Sequence, residues 1–162
     1  MMMNAQRFEL AKRAILREML DSKVHCADSI YAVKKCTGLE GFVDTLNKFM
    51  PELKNKRFPS IELIRTYFSE EIEQLNQLGV YIDQEVSVLN QDNVWLFGHC
   101  SGVISSDVIH FVNIVVNDDA EVTINAMPWA LQRIYVKSPA EAYVKFNKSK
   151  TAVQIITKNN TL

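Results

Sequence analysis

NDDAEVTINA (117–126), MPWALQRIYV (127–136), KSPAEAYVKF (137–146) and NKSKTAVQII (147–156) follow one another without a gap, and their reading decides the fold. Ile stands at 104, 114, 124 and 134, and Val at 144; Ala120, Ala130 and Ala140 each lie four residues before one of them. A fixed period carried by an inward-type residue marks one small structural unit laid down repeatedly. Ten residues hold a strand of about five or six plus a turn of about four. NDD (117–119), MP (127–128), KSP (137–139) and NKSK (147–150) suit the turns.

Two arrangements fit this spacing. Successive strands can pair as an antiparallel meander or sandwich. Alternatively, two strands make one coil of a short β-solenoid, with coils stacked by parallel pairing. The solenoid is preferred, because each rung must place like residues over like. A meander needs alternation but no fixed length. The solenoid predicts Ile104, Ile114, Ile124, Ile134 and Val144 all buried, in two columns. The last block slips by one residue (Val153, Ile155), as expected of an atypical terminal repeat.

Upstream, the period is helical. Asn4 is an N-cap, and Phe8, Ala11, Ile15 and Met19 form one apolar stripe ending near Asp21–Ser22. A short helix from Asp28 to Cys36 is closed by Gly38, and a third from Leu39 to Met50 stops at Pro51. ELKNKRF (52–58) reads as a polar connection. Pro59–Ser60 opens one long helix with the stripe Ile61, Ile64, Phe68, Ile72 and Leu75, ended by Gly79. VYIDQEVSV (80–88) then alternates as a strand, NQDN (90–93) is a turn, and VWLFG (94–98) is an apolar strand. Helices precede strands without alternating with them. The prediction is α+β, a helical domain over 1–79 followed by a β-repeat domain over 80–162.

The chain has 162 residues, 48% of them hydrophobic and 23% charged, which suits a packed domain and excludes a disordered one. No run approaches the roughly 18 apolar residues of a membrane span. The first twenty residues read as an amphipathic helix and not as a secretion signal. Three widely spaced cysteines (Cys26, Cys36, Cys100) imply reduced thiols. These features predict a cytoplasmic protein. Charge is uneven. Residues 66–132 hold ten Asp/Glu and no Lys or Arg, whereas residues 133–162 hold six Lys/Arg and only Glu141. Such a tract predicts a local negative field suited to a basic partner.

His99, Cys100, Asp107 and His110 form the densest cluster of reactive types. Cys/His catalysis needs a thiolate near an oriented imidazole, yet FGHCSG has no strand-to-helix elbow to expose the thiol. His99 and Cys100 are adjacent, so on a strand they point apart and do not share a metal. His25, Cys26 and Cys36 lack metal-ligand spacing. Asp118–Asp119 lacks the glycine-rich repeat of calcium-binding solenoids, and no phosphate-cradling glycine loop occurs. Arg7, Lys12, Arg13, Arg17 and Lys23, with KNKR (54–57), offer only a diluted basic patch, and nucleic acid is not the expected partner. Tyr135 and Tyr143 fall one residue out of phase with Ile134 and Val144 and are predicted to point outward, beside Arg133 and Lys145. No catalytic, cofactor-binding or metal-ligating residue is assigned. The candidate interaction surface comprises Glu70, Glu71, Glu73, Asp118, Asp119, Tyr135 and Tyr143.

FPSIELIRTYF (58–68), LGVYIDQEVSV (78–88), NQDNVWLFGHCSG (90–102), DDAEVTI (118–124) and SPAEAYVKF (138–146), in this order, resemble uncharacterised small proteins of phages and mobile elements of Bacteroides-type gut bacteria. MPWALQRIYV departs from the turn–Ala–Val–Val form of their most regular members. The resemblance implies a phage or prophage setting, with a place in the host cytoplasm or on the virion, and an accessory or anti-host factor. It carries over no functional residue. Three functions are therefore expected, in this order. The first is a non-enzymatic interaction or structural module that docks through its helices and displays or oligomerises through its β-repeat. The second is a phage factor that inhibits a host protein through an acidic surface. The third is a Cys/His enzyme. The expected partner is a protein, a second copy of the chain included.

Overall fold

Asn4 is extended, and its side chain accepts the Arg7 N–H at 2.8 Å, which starts α1 (Ala5–Ser22). The apolar stripe Phe8, Ala11, Ile15 and Met19 is wholly buried, as its spacing requires. The computed structural model describes residues 3–23, 25–51, 58–137 and 139–158. These form two compact units, 3–51 with 58–78, and 79–158.

In the first unit, α2 (Ala27–Lys35) is capped by the Cys26 sulfur, and α3 (Leu39–Phe49) buries Leu39, Phe42, Val43 and Leu46. Ser60 caps α4 (Ile61–Phe68), its hydroxyl oxygen accepting the Leu63 N–H. Glu18 of α1 in turn accepts both the N–H and the hydroxyl of Ser60, each at 2.7 Å. The Phe42 and Phe68 rings stack, with centroids 5.6 Å apart. The single helix expected after Pro59–Ser60 is two helices. The Glu71 N–H bonds back only three residues, to the Phe68 carbonyl (3.0 Å), and this tight turn ends α4. α5 (Ile72–Gln77) restarts from Glu71. The break removes Ile72 from the predicted stripe, so it is exposed while Phe68 and Leu75 are buried.

The second unit is a short parallel β-solenoid. Strands β1 (Val80–Ile82), β3 (Asn93–Phe97), β5 (Phe111–Val116), β7 (Leu131–Val136) and β9 (Val153–Lys158) make one sheet in that order. Strands β2 (Glu85–Leu89), β4 (Ser101–Ser106), β6 (Glu121–Ala126) and β8 (Lys145–Lys148) make the other, and all pairings are parallel. VYIDQEVSV is thus not one strand. Asp83 takes a positive φ of 48°, turns the chain between the sheets, and accepts the His99 N–H at 2.9 Å.

Like residues lie over like. Val88, Ile104, Ile124 and Phe146 stack in one sheet, and Val94, Ile114, Ile134 and Ile156 in the other. The four predicted isoleucines are buried. Val144 is the exception: it is only half-buried and stands outside the column. A 3₁₀ turn at Ala140–Ala142 widens its corner, so the coil grows from 20 residues (Ile104 to Ile124) to 22 (Ile124 to Phe146). The terminal slip is therefore two residues and not one. Ile156 takes the inward place, and Val153 and Ile155 face outward and are exposed.

The corners explain the alanine period. Cys100, Ala120 and Ala140 occupy equivalent corner places, as do Ala130 and Ala152, and all five are buried. Gly102, in β4, has a φ of 130°, and a Cβ there would overlap the Val86 carbonyl oxygen of the strand beneath.

Candidate interaction surface

At its helical end the acidic tract meets a cation that its own composition lacks. Glu70 is ion-paired with Arg7 of α1, and Arg7 Nη1 also lies 4.0 Å from Glu71 Oε1. The first cation that reaches these carboxylates thus comes from about sixty residues earlier, a distance that charge counting along the sequence does not bridge. Glu71 is itself buried. Glu73, with Glu40, Glu70, Gln74 and Gln77, lines a shallow depression.

Asp118 is a corner residue, not a surface one. It is buried, with φ of 56°, and its Oδ2 accepts the Gly98 N–H of the coil beneath at 2.8 Å. Its neighbour Asp119 is exposed, 3.3 Å from His99 Nδ1. Tyr135 also departs from expectation. It does lie on the outer face of its sheet, in the column Trp95–Val115–Tyr135, but that face is buried. Val80, Ile82 and Phe97 on the same face are buried too, and Trp95 and Phe97 stack at 5.9 Å. Alternation tells inward from outward but not whether the outward face meets water. Tyr143 is exposed and lines a shallow depression with Glu121, Thr123 and Lys145.

The reactive residues do not assemble. Cys100 sits in an alanine place of the corner stack, where burial pushes its thiol up and the S–H donates to the Phe97 carbonyl at 3.3 Å. His99 and His110 lie beyond opposite ends of β4. His110 Nε2 pairs with Asp92 at 2.7 Å, and Asp107 exchanges two hydrogen bonds with Asn90 (2.6 and 2.9 Å). Among the described residues no three His, Cys, Asp or Glu side chains converge as metal ligands. Cys26 is exposed, its thiol lowered by hydrogen bonds from Ser29, whereas Cys36 is buried near Thr45. Lys12 pairs with Glu9 and Arg17 with Asp21, while KNKR (54–57) lies outside the described residues. Among the described residues no helix is long and apolar enough to cross a membrane.

The strongest surface feature is one that sequence reading passed over. At a single corner of the solenoid, Ile109 is 80% exposed and Trp129, one coil further on, 65%, with Met127 also exposed. In the turn 127–130, Pro128 precedes Trp129, which has φ of 69°, and the Ala130 N–H bonds the Met127 carbonyl at 3.0 Å. This is the pattern of a type II turn, whose third place favours Gly or Asn. Holding a bulky residue there costs about 1–3 kcal/mol. The signal was present in the sequence as MPWA, a proline turn with tryptophan where glycine is normal.

Neither a family model, nor a curated protein, nor a solved structure matches this chain.

Proposed function

We propose that this chain is a non-enzymatic protein-interaction module, set in a phage or prophage as the sequence resemblance implies. Its β-solenoid is the rigid display part, and its helical unit is a docking part. Trp129 is the observation that carries this reading. A strained backbone position persists only where the surrounding structure enforces it, and such positions concentrate at functional sites. Here the strain holds a large aromatic ring out in water beside Ile109 and Met127. Exposed aromatic anchors on a rigid support are what protein interfaces use as centres of binding energy. The Cys/His alternative loses support, because Cys100 is buried with a raised thiol pKa and stands apart from both histidines' partners.

The test uses Trp129→Gly. Glycine suits the turn, so the variant is expected to be more stable by about 1 kcal/mol. It is also expected to lose self-association in light scattering, or capture of its partner from a bacterial host lysate. A variant that keeps both associations at wild-type strength refutes the reading. So does a wild-type protein that shows neither.

A further inference from the structure

Among the described residues the last coil of the solenoid is β8 with β9. β8 pairs only with β6, and β9 only with β7, so each presents a row of unpaired backbone groups among the described residues. The apolar columns are cut off there. Ile134 is fully buried, but Ile156, stacked on it, is 38% exposed. Two side-chain ladders are cut off too. Asn147 donates its amide N–H to Asn125 Oδ1 (2.9 Å), and Gln154 donates to Gln132 Oε1 (2.9 Å). Each spends its amide nitrogen on the coil beneath, which leaves its carbonyl oxygen for a strand above. Finally, this coil carries Lys145, Lys148, Lys150 and Lys158 against one acid, Glu141, which lies 3.5 Å from Lys158. Lys145, Lys148 and Lys150 are exposed, and none of them forms an ion pair with a described residue.

We propose that this edge takes an extended acidic segment of a partner protein as one further coil, by strand addition. The proposal rests on reading the β-solenoid as an interaction surface, but on a different part of it from Trp129. Parallel in-register stacking fixes what the incoming segment carries. Acids lie over Lys145 and Lys148, an apolar residue over Phe146 and an amide over Asn147. Beyond a turn, an amide lies over Gln154 and an apolar residue over Ile156. Main-chain bonds supply affinity, and the alternating side chains supply selectivity. Opposite charges facing across a strand pair stabilise it, and like charges destabilise it. Charge therefore selects an acidic segment over a second copy of this cationic coil.

The probe is the chain's own 145–158 segment made as a fluorescent peptide with all four lysines replaced by glutamate. The comparison is the same peptide with its lysines kept. Wild-type protein is expected to bind the glutamate peptide at least about tenfold more tightly, weakening as salt rises. Lys145→Glu/Lys148→Glu/Lys150→Glu, substitutions at exposed positions that leave circular dichroism unchanged, is expected to reverse the preference. Amide exchange of β8 and β9 is expected to slow when the glutamate peptide is bound. Equal binding of the two peptides, or no binding of the glutamate peptide at millimolar concentration, overturns the proposal. Lysines that merely block edge pairing give another signature, Lys148→Gln self-associating while the glutamate peptide stays unbound, and that result overturns it as well. Peptide binding that survives Trp129→Gly separates this site from the corner site. Peptide binding in a protein that shows no Trp129-dependent association then refutes only the earlier reading.

Discussion

Lys137 directly follows β7 in the buried outer column, one coil after Asn117, and burial pushes its ammonium down to about 8. In the unfolded chain the same group titrates near 10.5. Between these values the unfolded chain holds a proton that the native one has released, so this group raises stability as pH climbs from about 8 to 10.5. Below about 8 both states are charged, and the cost of burying the charge is paid in full. Lys137→Met is therefore expected to stabilise the fold at pH 7, with a gap to wild type that narrows between pH 8 and 10.5. Urea unfolding of both proteins across that range checks this, and a gap independent of pH refutes it. Comparison with wild type removes the opposite trends of Cys100 and Tyr81, whose raised values take stability away at high pH. Gly102 gives a sharper case. Its φ of 130° and the Val86 carbonyl beneath leave no room for a methyl group. Gly102→Ala is expected to cost more than about 2 kcal/mol, measured by denaturant midpoint.

At the scale of elements, α4 depends on a cap with two functions. Ser60 satisfies the helix start and also ties it to Glu18. Burial raises the Glu18 pKa, against a smaller lowering by its Ser60 bonds. Ser60→Ala is expected to cost about 1–2 kcal/mol, more than an exposed cap alone, because Glu18 loses a partner as well. A loss below a few tenths of a kcal/mol refutes the coupling. How legible each element was follows from the range of the forces involved. The stripe of α1 and the columns as far as Ile134 are strictly periodic, and burial alone enforces them, so sequence carries them; beyond Ile134 the 3₁₀ turn at Ala140–Ala142 breaks the period. The Ser69–Glu71 break in α4–α5 was not legible. No Gly or Pro marks it, and Glu71 is buried by tertiary contacts. The Asp83 corner was missed because VYIDQEVSV keeps its alternation through it. Asp is one of the few residues that tolerate a positive φ, and that was the available signal. Of the candidate surface, Asp119 and Tyr143 are exposed where expected. Asp118 is tied to Gly98, twenty residues back along the chain, and Tyr135 lies on a buried stretch of the outer face.

A stack of coils is close to one-dimensional, since each coil touches mainly its neighbours. Truncating a column residue should then cost an amount set by its place along the axis. Ile124 has Ile104 on one side and Phe146 on the other, and Ile134 lies between Ile114 and Ile156. Among the described residues Ile156 has a column neighbour on one side only, and it is partly exposed. Ile134→Ala is expected to cost about 2–5 kcal/mol, and Ile156→Ala less than about 1 kcal/mol. Ile124→Asp should unfold the β-unit outright, because it buries an unpaired carboxylate in an apolar column. Amide exchange read strand by strand resolves the gradient: protection should peak in β4–β7 and fall toward β9. The acidic peptide over the last coil supplies the missing neighbour. With it bound, the cost of Ile156→Ala should rise toward that of an interior position, while the cost of Ile134→Ala stays as it was. Equal costs for Ile134 and Ile156 in the free protein would mean that the coils melt as one block with the end already closed, and the open edge would then have no vacancy to fill.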